Sequence, residues 1–88
     1  MNVRVRNIEN NGRKVPNQFI INVGNETYFQ SYESLIVYID ENGKVFIDPD
    51  YYKFSKTTGK YRNLFLDEDL KETERKLKSG EYTFKKLN

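Results

Sequence analysis

Apolar and polar residues alternate from the start of the chain. In NVRVRNI (2–8), Val3, Val5 and Ile8 stand among Arg4 and Arg6, and a period of two marks a half-buried strand. ENNGRKVPN (9–17) reads as a turn, because Asn11-Gly12 tolerates positive φ and Pro16 cannot donate to a ladder. QFIINV (18–23) places Phe19, Ile21 and Val23 on one face, GNE (24–26) turns the chain, and TYFQSY (27–32) completes a hairpin. SLIVYID (34–40) is apolar almost throughout, as in a central strand covered on both faces or a short buried helix, and Ile36, Val37 and Ile39 favour the strand. Asn42-Gly43 between hydrophobic runs is the strongest local hairpin signal, and Asp48-Pro49-Asp50 ends its second arm.

The period then changes. In LDEDLKETERKLKSG (66–80), Leu66, Leu70, Thr73 and Leu77 recur at helical spacing, with acids in the first turn and Lys76 and Lys78 in the last. Asp67 is the expected N-cap, Gly80 the expected stop, and Glu72–Lys76 an i,i+4 pair. KYRNLF (60–65) adds a short helical turn before it, and EYTFKKL (81–87) alternates as a closing strand. The expected fold is α+β: a small antiparallel sheet of about five strands, one main C-terminal helix packed on it, then a final strand. The 88 residues are enough for a single domain, 1–88, and too few for two.

Composition narrows the function classes. With no histidine and no cysteine, the commonest general base, the usual catalytic metal ligands and the thiol nucleophile are all missing, so the expectation is a non-enzyme without cofactor or metal. Asp40, Asp48 and Asp50 could offer hard oxygens, but their spacing matches no calcium loop and acids beside proline are ordinary turn formers. The absence of an 18-residue apolar run and the polar opening predict no membrane partner and no leader. The net charge of +2 is too small to announce a nucleic-acid binder. Its distribution says more: Arg4, Arg6, Arg13 and Lys14 face one acid, Glu9, whereas residues 26–50 set Glu26, Glu33, Asp40, Glu41, Asp48 and Asp50 against Lys44 alone.

The segment YYKFSKTTGKYRNLF (51–65) gathers aromatics, hydroxyls and the cations Lys53, Lys56, Lys60 and Arg62 with no carboxylate. TTGK lacks the earlier glycine and the Gly-Lys-Ser/Thr order of a nucleotide-binding loop, since Tyr61 follows Lys60. Ser55, Thr57 and Thr58 could approach an anion at a helix N-terminus near Gly59, but capping that helix is the better reading. Rings interleaved with cations also suit single-stranded nucleic acid. Tyr51, Phe54, Tyr61 and Phe65 are expected to fill the space between helix and sheet, leaving the cations for a partner. Asn25-Glu26-Thr27 has the form of a glycosylation sequon and reads as a hairpin turn.

Phe29, Ser31 and Tyr32, then Phe54 through Leu66, then the charged helix ending Ser79-Gly80-Glu81-Tyr82, form a pattern that resembles a family of small proteins of unknown function encoded by bacteriophages of low-GC bacteria. That family pattern places Tyr where Phe54 stands here. The resemblance carries no activity with it. It implies a phage accessory protein in the host cytoplasm that binds and blocks a host or defence macromolecule, as anti-CRISPR proteins do. The expected partner is a host protein or ribonucleoprotein complex. The expected contact residues are Lys56, Thr57, Thr58, Lys60, Tyr61 and Arg62, with Arg4 and Arg6 as a second basic contact. The alternative is nucleic-acid or nucleotide-like anion binding through Lys56–Arg62. A sheet this small should also expose an edge strand, so strand pairing into a homodimer is a further expectation.

Overall fold

The computed structural model of the chain describes residues 2–88. Strands β1 (Val3–Asn10), β2 (Arg13–Val23), β3 (Glu26–Ser31), β4 (Ser34–Ile39) and β5 (Val45–Ile47) run in sequence order, followed by helices α1 (Lys56–Leu66) and α2 (Leu70–Ser79) and strand β6 (Tyr82–Phe84). The fold is α+β, as expected, but the six-stranded sheet is mixed: β1 to β5 pair antiparallel and β6 joins β5 in parallel. A parallel partner needs a long crossover, and the two helices supply it. Alternation in residues 81–87 announces a strand without fixing its direction.

Turns are shorter than the sequence suggests. Asn11 and Gly12, at φ 53° and 78°, close the first hairpin alone, so most of 9–17 is strand. Pro16 sits where the β1–β2 register slips between Asn7 and Glu9, the kind of irregularity that accommodates proline inside a sheet. The β3–β4 turn is Tyr32-Glu33, with Tyr32 in the left-handed region at φ 56°, so Tyr32 does not continue the strand. A register shift between Phe29 and Gln30 leaves Ile36 as the extra residue on β4, and both Ile36 and Val37 are buried. That bulge explains a run too apolar for simple alternation.

The expected short turn at 60–65 is a full helix. Ser55 caps α1, its hydroxyl accepting the Thr58 N–H at 3.1 Å, so the hydroxyls do cap, and the helix starts before Gly59. Its inward face is Thr58, Tyr61, Arg62 and Phe65, at i, i+3, i+4 and i+7. Asp67, expected as an N-cap, instead ends α1 in the left-handed region, its N–H reaching the Asn63 carbonyl. Asp69 caps α2, accepting the Glu72 N–H at 2.8 Å, and Gly80 ends it. Glu72 takes Arg75 rather than Lys76, and Lys76 turns to Glu68 at 2.8 Å.

The core lies between the helices and one sheet face. Phe29, Val37 and Ile47 face one another across β3, β4 and β5 and are wholly buried, with Ile8, Ile36, Tyr52 and Tyr61 around them. Phe65 stacks on Phe29 at 5.4 Å between centroids. Burying such rings contributes roughly 1.5–3 kcal/mol each.

Candidate binding surfaces

Residues opposite each other across a ladder share a side of the sheet. Val3 faces Val23, Val5 faces Ile21, Ile21 faces Tyr28, Tyr28 faces Tyr38, and Tyr38 faces Phe46. Phe19 and Leu35 both lie opposite Gln30 on the same side. These apolar side chains occupy the face away from the helices, and none joins the core cluster or packs against it. Val3 and Val5 are each 61% exposed. The valines of β1, which a half-buried strand should turn into the core, lie instead on the uncovered face. Arg4 and Arg6 stand opposite Asn22 and Ile20, on the helix side, and are exposed; Arg6 borders an open cavity that Leu64 and Phe65 of α1 also line.

Three rings form a ladder on the uncovered face. Tyr28 and Tyr38 stack at 4.7 Å and 22°, and Tyr38 and Phe46 at 5.6 Å and 19°. Stacking turns the flat faces toward one another and the edges outward. The Lys85 ammonium lies 5.6 Å from the Tyr38 centroid and 5.2 Å from that of Phe46, with Lys44 5.3 Å from Phe46. Neither lysine pairs with a carboxylate among the described residues. The Tyr38 hydroxyl donates to Glu26; that bond, together with burial and the Glu26 charge, pushes Tyr38 up to about 12.

The basic-aromatic segment divides differently from the sequence expectation. Lys56, Thr57 and Lys60 are exposed on α1, and Lys60 lies 5.3 Å from the Tyr61 ring centroid. Thr58, Tyr61 and Arg62 are buried rather than displayed on the surface as expected. Thr58 is 1% exposed and shares a 2.9 Å hydrogen bond with Ser31 of β3. Tyr61 belongs to the core. Arg62 is 2% exposed, donating to the Tyr52 carbonyl and, at 2.8 Å, to Asn63 Oδ1, while its Nε has no partner. Burial pulls its pKa down, and the Tyr52, Glu74 and Glu68 charges only partly oppose that. Tyr51 and Phe65 pack against the core, but Phe54 is 69% exposed.

The acids act as braces. Asp48 Oδ1 accepts the Asp50 and Tyr51 N–H groups, and Oδ2 accepts the Leu87 N–H and the Asn88 amide, tying the last residues to the β5 end. Burial alone would raise Asp48, but those donations outweigh it and hold the carboxyl below its ordinary range. Glu68 is likewise opposed by burial yet lowered by Lys76, Thr73 and Tyr82, at 2.8, 2.6 and 2.9 Å. Asp40 Oδ1 accepts the Asn42 and Lys44 N–H groups in the hairpin turn. No cluster of three acids suited to a metal occurs among the described residues, and no described helix is long and apolar enough to cross a membrane. Gly24-Asn25 forms the β2–β3 turn, as the sequon segment suggested.

Neither a curated protein nor a solved structure matches the chain. A family model does, over residues 1–81, which include both the Phe29–Tyr32 and the Phe54–Leu66 segments. The chain belongs to DUF8033, a family of unknown function.

Proposed function

We propose that this chain is a non-enzymatic binding protein that covers a working surface of another protein. In this reading it is a phage accessory protein acting in the host cytoplasm on a host or defence complex. The uncovered apolar face of the sheet carries the proposal. A chain of 88 residues has little apolar surface to spare, yet Val3, Val5, Ile21, Tyr28 and Leu35 are left outside the core. Contiguous apolar surface of this kind marks an interaction site.

The chemistry of the face selects the occupant. Lys44 and Lys85 flank its β5–β6 end without carboxylate partners, so the complementary surface is apolar at its centre with acids at that end. A second copy offers the same lysines. The acids near this face, Glu26 and Asp40, are already engaged by Tyr38 and by turn amides, so a different chain fits better than a homodimer. Base stacking needs open aromatic faces, and here Tyr38 is stacked on both sides while Lys44 and Lys85 lie over Phe46.

Affinity capture from host lysate with the wild type, Ile21→Lys, Lys85→Glu and Lys60→Glu tests this. One protein retained by the wild type and Lys60→Glu but lost with Ile21→Lys and weakened by Lys85→Glu is the expected pattern. Equal retention by all four, or loss with Lys60→Glu alone, overturns it.

A further inference from the structure

A basic groove lies on the helix side of the molecule, away from the uncovered sheet face. Lys56, Gly59, Lys60 and Asn63 recur at i, i+3, i+4 and i+7, so they share one side of α1. With Lys53 and Arg62 they line an open cavity of about 410 Å³ whose lining includes no carboxylate. Lys53 is bound to Glu74 at 3.2 Å, whereas Lys56 and Lys60 pair with no acid among the described residues.

Arg62 gives the groove its distinctive chemistry. A guanidinium carries five N–H donors. Here one bond goes to the Tyr52 carbonyl and one to Asn63 Oδ1, and Nε has no partner. The side chain is 2% exposed and pairs with no carboxylate among the described residues. Its hydrogen bonds go to neutral acceptors alone, and the Glu74 and Glu68 charges only partly offset its burial, so an anion in the groove would stabilise it further.

Gly59 leaves an approach to that cation. Its φ is an ordinary helical one, so the backbone does not require glycine, and glycine inside a helix is weaker than alanine. A Cβ at this position would stand 3.7 Å from both terminal nitrogens of Arg62, its only neighbours within 4 Å beyond the adjoining residues and helix backbone. The methyl would fit, and it would cover the guanidinium from the groove side. Helix formation thus favours alanine, whereas access to Arg62 favours glycine.

We propose that this groove binds the phosphate group of a phosphate monoester, with Lys56 and Lys60 at its rim and Arg62 at its floor beneath Gly59. Several terminal oxygens on one compact dianion suit a guanidinium flanked by two ammonium groups. The helix N-terminus is not the site, because Ser55 already accepts the Thr58 N–H. This inference does not depend on the sheet face.

Amide NMR of the whole chain, titrated with inorganic phosphate at constant ionic strength, tests it. Saturable shifts confined to residues 53–63 are expected. Gly59→Ala should melt at a higher temperature and bind phosphate at least tenfold more weakly. Lys60→Ala should weaken binding without changing the fold. Shifts that never saturate, or that persist equally in Gly59→Ala, reduce the groove to surface lysines attracting any anion and overturn the proposal. A nucleoside 5′-monophosphate should displace inorganic phosphate. An oligonucleotide without terminal phosphate that competes equally well would assign the groove to a nucleic-acid backbone and overturn the monoester assignment.

Discussion

Thr58 of α1 and Ser31 of β3 meet through hydroxyls 2.9 Å apart in the interior, joining helix to sheet. Thr58→Val keeps the shape and removes one partner, leaving Ser31 unsatisfied. The expected loss is about 1–3 kcal/mol, read from urea unfolding at neutral pH. Unchanged stability would mean that the hydroxyl pair contributes nothing to holding α1 in place.

Arg62 and Lys60 are two residues apart and should respond oppositely to truncation. Arg62→Ala opens a void and strands the Tyr52 carbonyl, so a loss of roughly 3 kcal/mol is expected. Lys60→Ala lies on the surface and should stay within about 0.5 kcal/mol. Equal small effects in thermal unfolding would contradict the buried position of Arg62.

This pair also shows what the sequence could and could not reveal. The inward face of α1 has helical spacing, but Thr58 and Arg62 are polar, so hydrophobic periodicity underestimates the helix. The sequence therefore suggests only a short turn at 60–65, and burial of Thr58 and Arg62 on a full helix is not legible in it. For β1, alternation separates Val3 and Val5 from Arg4 and Arg6 without saying which side the helices cover. The helices cover the arginine side. A hint of the uncovered face existed, because Phe19, Ile20, Ile21 and Val23 put apolar residues on both sides of β2, more than a one-sided core needs. The Asn-Gly turns, the Ser55 cap, the Gly80 stop and the α+β class were all legible, since each rests on local backbone chemistry.

Gln18 is fully buried, and neither end of its amide has a hydrogen-bond partner within the protein. Gln18→Met keeps most of the volume and removes the unpaired polar group. Stability should rise by about 1–2 kcal/mol. A fall in the urea midpoint would show that the amide does have a partner in solution.

Asp48 and Glu68 set the acid limit. Their carboxyls sit below the ordinary range when folded, so folding favours the ionised forms. That stabilisation is complete above about pH 5 and is lost as pH falls through the depressed folded values. The urea midpoint should hold from pH 7 to about pH 5 and drop below about pH 4. Asp48→Asn should lower the neutral-pH value by about 1–3 kcal/mol and flatten the drop. A midpoint unchanged to pH 2 would contradict these brace roles.

In the proposed function the uncovered sheet face, and not α1, meets a partner protein. A photo-reactive side chain placed at position 21 on that face, and in a second variant at position 60 on α1, reads this directly in host lysate. A cross-linked product with one foreign protein from position 21 and none from position 60 is expected. A product from position 60 alone, or only self-cross-linked dimers from position 21, would contradict it.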